Sequence, residues 1–184
     1  EMLQNLVATI GENMTLRRTA SLSVSQGAIG HYVHNQAAPG LGKIGVLVGL
    51  ESAGKTDALS HFGRMLAMHV AATNPVAMDL AGVPPETLVR EKAILEEKNA
   101  GKPANVLEKI VASGLKTYAK ENCLLEQVYV HDATKTVTQA IAEAAAKAGA
   151  AIKLTGYVRM QLGEGIDKKD GDFAAEVAKA AGGN

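Results

Sequence analysis

Three segments able to form strands follow one another with connections too short to hold a crossover helix, and this spacing limits the fold more than any other feature. Met14 to Val24 alternates, with Leu16, Arg18, Ala20, Leu22 and Val24 on one face. Ile29 to Asn35 reads as a second strand. Lys43 to Leu50 (KIGVLVGL) reads as a third, apolar almost throughout and therefore central. Strands in such close succession pair antiparallel, because a parallel pair needs a crossover of about a dozen residues or more.

Helical spacing fills most of the remainder. Leu3, Leu6, Val7 and Ile10 share a face, with Gly11 as a C-cap. Thr56 and Asp57 start a helix whose inward face carries Leu59, Phe62, Leu66, His69 and Val70, and Pro75 ends it. From Pro84 to about Asn122 the chain becomes charged and reads as an αα-hairpin turning at 99–103. Leu88, Ala93 and Leu95 are set against Val106, Ile110, Val111 and Leu115. Stripes this thin cannot bury themselves, so the hairpin is expected to pack on a partner or a second copy. Thr134 to Gly149 is an Ala-rich helix with Val137, Ile141 and Ala145 inward, Ala150 to Leu162 a strand, and Asp170 to Ala181 a short tail helix. The expected class is α+β: an antiparallel three-stranded sheet packed with helices, an inserted antiparallel helical hairpin and a C-terminal helix.

Composition removes several functions. With 19 Lys+Arg against 19 Asp+Glu and 3% aromatic residues, the chain lacks both the basic excess and the stacking platforms of a nucleic-acid binder, and none is expected as a partner. No apolar run approaches the roughly 20 residues that span a bilayer, so no membrane partner is expected. Cys123 stands alone at the end of the hairpin, which excludes a disulfide framework and a thiolate metal site and gives nucleophilic catalysis little support. A reducing, aqueous compartment follows. The chain opens on Glu1, which raises the expectation that its start has been cut or processed away.

Gly49 to Thr56 (GLESAGKT) fits the phosphate-binding loop letter for letter, between a strand and a helix. Lys55 would reach the outer phosphates, Thr56 would hold Mg²⁺, and Asp132 at the end of VYVHD would supply the second acid. That makes a P-loop nucleotide hydrolase the competing function. Against it stands the strand order, since such a sheet is parallel. Gly40, Gly42 and Gly45 precede a strand instead of opening a helix, so the dinucleotide mechanism fails. The five histidines show no carboxylate cluster, and Arg17 with Arg18 reads as an exposed strand pair. Residue chemistry alone thus leaves a binding module with no cofactor and no metal.

Six segments in order resemble the elongation factor Ts family: IGENMTLRR at 10–18, KIGVLV at 43–48, AMHVAA at 67–72, KTV at 135–137, GEGI at 163–166 and DFAAEV at 172–177. The resemblance implies a cytoplasmic bacterial translation factor, or less commonly an organellar-matrix one. It would bind elongation factor Tu and promote GDP release without chemistry of its own. By position, Ile10, Gly11, His34, Arg64, Val130 and His131 match family contact sites, while Phe173 and Val177 match the module that docks on the partner's nucleotide domain. The family's inserted Phe, in a T-D-F-V motif, has no counterpart here, so binding with impaired exchange is implied. The implied organisation is 1–27 as the end of a first core subdomain, 28–80 with 131–165 as the second, 81–130 as a hairpin or dimerisation subdomain that allows a homodimer, and 166–184 as a C-terminal helical module. These residues would be the back portion of a longer chain.

Overall fold

Period-two alternation does produce three strands, but not the first three that the spacing predicts. The computed structural model describes residues 1–166. Its elements run α1 (Met2–Ile10), β1 (Gly27–His34), β2 (Ile44–Glu51), α2 (Thr56–Thr73), α3 (Pro85–Lys98), α4 (Ala104–Asn122), α5 (Val137–Ala148) and β3 (Lys153–Gln161), with a short 3₁₀ turn at Leu80–Gly82. The sheet is antiparallel in the order β1-β2-β3, which places the apolar KIGVLV strand in the centre. The class is α+β. The tail helix predicted over 170–181, with Phe173 and Val177, lies outside the described residues.

The predicted strand over 14–24 is absent. That segment pairs with neither sheet edge and crosses the outer face instead, where Leu22 and Val24 settle over Gly49. A Cβ on Gly49 would stand 3.3 Å from both side chains, so the missing side chain makes room for the crossing segment. Arg17 and Arg18 are therefore no strand pair. Arg17 Nη1 donates to the Glu164 carbonyl at 2.9 Å, and Arg18 Nη2 pairs with the Glu164 carboxylate at 3.2 Å. Together they pin the extended segment to the turn after β3.

The inner face of the sheet packs on α2 and α5. Val46, Val48 and Leu50 from β2 meet Phe62, Leu66 and Val70 from α2, with Val137, Ala140 and Ala144 from α5. Each fully buried Val or Leu contributes about 1.5–3 kcal/mol of transfer free energy. Strand β1 approaches α2 closely through a glycine pair: a Cβ on Gly30 would come within 2.2 Å of the Gly63 backbone. The fully buried stripe of α5 is Val137, Ala140, Ala144 and Ala148, while the predicted Ile141 and Ala145 flank it half-buried, Ile141 packed against the same core. A capping box between Thr136 and Gln139 fixes where the first turn begins, and so sets that phase.

The hairpin forms as predicted, and of its predicted facing residues Leu88, Leu95, Ile110, Val111 and Leu115 are half-buried. Ala93 and Val106 are exposed, whereas Leu95 sits directly on Gly114, where a Cβ would stand 2.5 Å from Leu95 Cδ1. A second small core of Ala77, Val83, Ala119 and Cys123 roots the hairpin in the rest of the molecule. Backbone bonds from Val76 N to the Asn122 carbonyl (2.8 Å) and from Leu124 N to the Ala77 carbonyl (2.9 Å) stitch its two ends together. Cys123 is thus no mobile thiol; it is fully buried, and burial pushes its pKa up to about 11.

The glycine contact sets a clear expectation. Gly30→Ala should cost about 3 kcal/mol, because the strand must lift off α2. Gly45→Ala, where a Cβ meets nothing within 4 Å, should change stability by no more than about 0.5 kcal/mol. Urea unfolding midpoints of the two variants check the pair.

Candidate functional site

The most constrained polar group in the molecule is an imidazole buried where water cannot reach it. His69, on the inward face of α2, is fully buried. Its Nδ1 accepts the Val130 backbone N–H at 3.2 Å, which requires the ring proton on Nε2, and Nε2–H then donates to Gln127 Oε1 at 3.0 Å. The same Gln127 oxygen accepts from Thr73 Oγ1 at 3.0 Å, and Gln127 Nε2 donates to the Glu121 carbonyl at 2.9 Å. Every polar atom of the imidazole is matched, as a buried network demands. Burial holds the His69 pKa below its ordinary value of 6.5, the Gln127 bond opposes that in part, and the neighbouring His131 adds to the lowering.

This network positions the segment from Gln127 to His131 against α2. Tyr129 packs on Phe62 and on the His69 ring, with centroids 6.5 and 5.7 Å away, and His131 meets Tyr129 edge-on at 5.1 Å. His131 Nε2 donates to the Met65 carbonyl at 2.9 Å. With Val130 N–H consumed by His69, the Val130 side chain turns outward and is 47% exposed.

Three of the residues singled out in the sequence come together here. His34 from β1 joins Val130 and His131 in lining a groove of about 500 Å³ between the end of the sheet and the last turns of α2. Tyr32, which the sequence reading missed, holds His34 in place through a 3.1 Å contact between its hydroxyl and His34 Nδ1. Arg64 lines an adjoining groove against β1. Ile10 and Gly11 do not join the cluster; they end α1, a helix with no buried residue, where Gly11 takes a left-handed φ of 78°. His69 and Gln127 were also missed as organisers, although a histidine amid an apolar helical face, four residues before Thr73, is a signal of a buried hydrogen-bonding partner.

GLESAGKT offers no comparable site. Three of the amides that would cradle phosphate are already bonded: Ser52 N to the Gln26 carbonyl, Gly54 N to Ser52 Oγ, and Lys55 N to the Ala148 carbonyl, each at 3.0 Å. Gly54 is needed because a Cβ would lie 2.8 Å from Ala148 Cβ, and Gly49 because a Cβ would lie 2.5 Å from Thr155 Oγ1. Asp132 is equally committed. Thr134 and Lys135 bind its carboxylate and hold its pKa down to about 2. Its neighbour His131 touches α2 at Met65, about 13 Å of helix rise beyond Thr56. VYVHD is no strand of the kind a phosphate-loop fold places before its second acid, since 128–132 makes only an isolated bridge from Val128 to Thr136.

Comparison with known proteins places these elements in context. The family described as Elongation factor TS matches residues 1–164. Elongation factor Ts from Methylobacterium sp. (strain 4-46) is 62% identical over 184 residues, covering 100% of this chain and 60% of the relative. Elongation factor Ts from Bradyrhizobium diazoefficiens is 58% identical over 182 residues, covering 98% of this chain and 59% of the relative. That from Xanthobacter autotrophicus is 59% identical over 182 residues, covering 99% and 59%. The chain spans about three-fifths of the length of these relatives.

The imidazole network carries its own test. His69→Ala leaves the Val130 amide and the Gln127 oxygen short of a partner and should cost about 2–4 kcal/mol. Amide exchange at Val130 should accelerate with it. Because the folded-state pKa of His69 lies below 6.5, the unfolded chain takes up a proton that the folded chain refuses. Stability should therefore fall as pH drops below about 6.5, by at most about 1.4 kcal/mol per pH unit from this group, and that contribution to the slope should vanish in His69→Ala.

Proposed function

The chain belongs to the elongation factor Ts family, and on that premise we propose a guanine-nucleotide exchange factor that binds elongation factor Tu to promote release of its GDP, these 184 residues retaining the binding with exchange impaired. The observation that supports this reading is the convergence on one groove of His34, Val130 and His131, three residues that the family resemblance implies as contacts. A buried, fully bonded imidazole holds two of the three in register, which suits a surface that must present a fixed shape.

The proposed action is exchange by differential binding, with no reaction catalysed by this chain. A protein that binds the nucleotide-free form of its partner more tightly than the nucleotide-bound form must weaken nucleotide binding by the same factor. That requires rigid contacts placed at the right distance, and no cofactor. Within this reading Ile10, Gly11 and Arg64 extend the contact, Phe173 and Val177 belong to the docking module at 166–184, and the hairpin over 81–130 serves as the dimerisation subdomain. The cytoplasm of a bacterium is the proposed compartment. Among the described residues no helix is long and apolar enough to cross a membrane.

The 184 residues contain no T-D-F-V sequence. They are accordingly expected to bind elongation factor Tu while accelerating nucleotide release weakly or not at all. Fluorescent-GDP release from elongation factor Tu, with and without the chain, measures the acceleration. Micromolar binding of GTP or ATP by the chain alone would overturn the reading in favour of a nucleotide hydrolase.

A further inference from the structure

We propose that the groove formed by His34, Val130 and His131 receives a carboxylate side chain of the partner protein, and that Arg159 recognises it. The inference rests on the reading of this groove as the elongation factor Tu contact. It adds the chemistry of what enters and a residue that neither motif nor family position indicated.

Arg159 lies on β3 opposite Val46, and it lines the groove together with His34 and His131. Its side chain is only 9% exposed, yet its charge is poorly answered. Nη2 donates to Gln161 Oε1 at 2.9 Å, Nη1 reaches Glu164 Oε1 only at 3.4 Å, and Nε has no acceptor among the described residues. The Glu164 carboxylate is divided, since its Oε2 is also held by Arg18 at 3.2 Å. A guanidinium carries five N–H donors in a planar fork. Leaving a buried cation this far from satisfied is costly.

The groove walls do not supply what is missing. Ile44, Met68 and Ala71 are apolar, His34 and His131 bring no negative charge, and among the described residues no Asp or Glu lines the groove. On the outer face at the same end of the sheet, Arg17, Arg18 and Lys43 line a second hollow in which Glu164 is the one carboxylate among the described residues. A carboxylate matches this setting because its two oxygens can bridge the Nε and Nη edge of a guanidinium with parallel bonds. Apolar walls lower the local dielectric and strengthen such a pair. Met68 is half-buried and unbranched, so it can turn aside to admit the incoming group.

The test compares two substitutions in binding to elongation factor Tu. Arg159→Met should weaken binding at least tenfold, with Arg159→Lys recovering part of the loss. Glu164→Gln, which removes the carboxylate that Arg159 shares with Arg18, should stay within about twofold of the parent. Equal binding by Arg159→Met and the parent, or a loss in Glu164→Gln as large as in Arg159→Met, overturns the proposal. A second arm needs no partner: sodium acetate titrated into the chain should shift the Arg159 Nε–H resonance, and an unmoved resonance counts against the groove. If acetate shifts that resonance but the chain fails to bind elongation factor Tu, the carboxylate groove stands and the partner reading falls. If the parent binds and Arg159→Met binds equally, the partner reading stands and the carboxylate groove falls.

Discussion

A neutral imidazole sealed between a helix and a loop is the constraint on which the surface of this protein depends. His69 has two ring nitrogens and no access to water, so each must find a protein partner of the right kind. Val130 N–H satisfies one and Gln127 the other, and the price is that the intervening Tyr129 and the following His131 can lie in only one way. The loop from 124 to 136 has little regular structure to define its shape. The ring supplies that definition from inside.

Much of the architecture is legible in the sequence, for reasons tied to particular residues. Helix α2 shows its buried face because Leu59, Phe62, Leu66, His69 and Val70 recur at helical spacing, and all of them are buried. Strand β2 shows its central place because Val46, Val48 and Leu50 leave no polar edge to expose. The segment over 14–24 misleads because alternation is a condition for a strand and not a cause of one. It pairs with neither outer edge of the β1-β2-β3 sheet, and Leu22 and Val24 instead pack over Gly49. In α5 a run of alanines carries almost no phase information, so the capping residues decide which side faces inward.

The site is less legible than the fold. His34, Val130 and His131 stand nearly a hundred residues apart at the extremes, and only the sheet and α2 bring them together. The family resemblance points to them; spacing alone does not. Arg159 was hidden because an arginine in a strand reads as an exposed residue until its neighbours are known. GLESAGKT shows the opposite hazard. Its glycines answer to packing against Thr155 and Ala148, and three of its amides are consumed by the chain itself. The letters of a phosphate loop are present without the free donors that give the loop its chemistry.

Hydrogen–deuterium exchange of the chain, alone and with elongation factor Tu, tests the central claim most directly. The account predicts new protection at 32–34, at 44–46 and at 128–132, the segments that wall the groove. Protection confined to the helical hairpin over 85–122, with the groove segments unchanged, would contradict it.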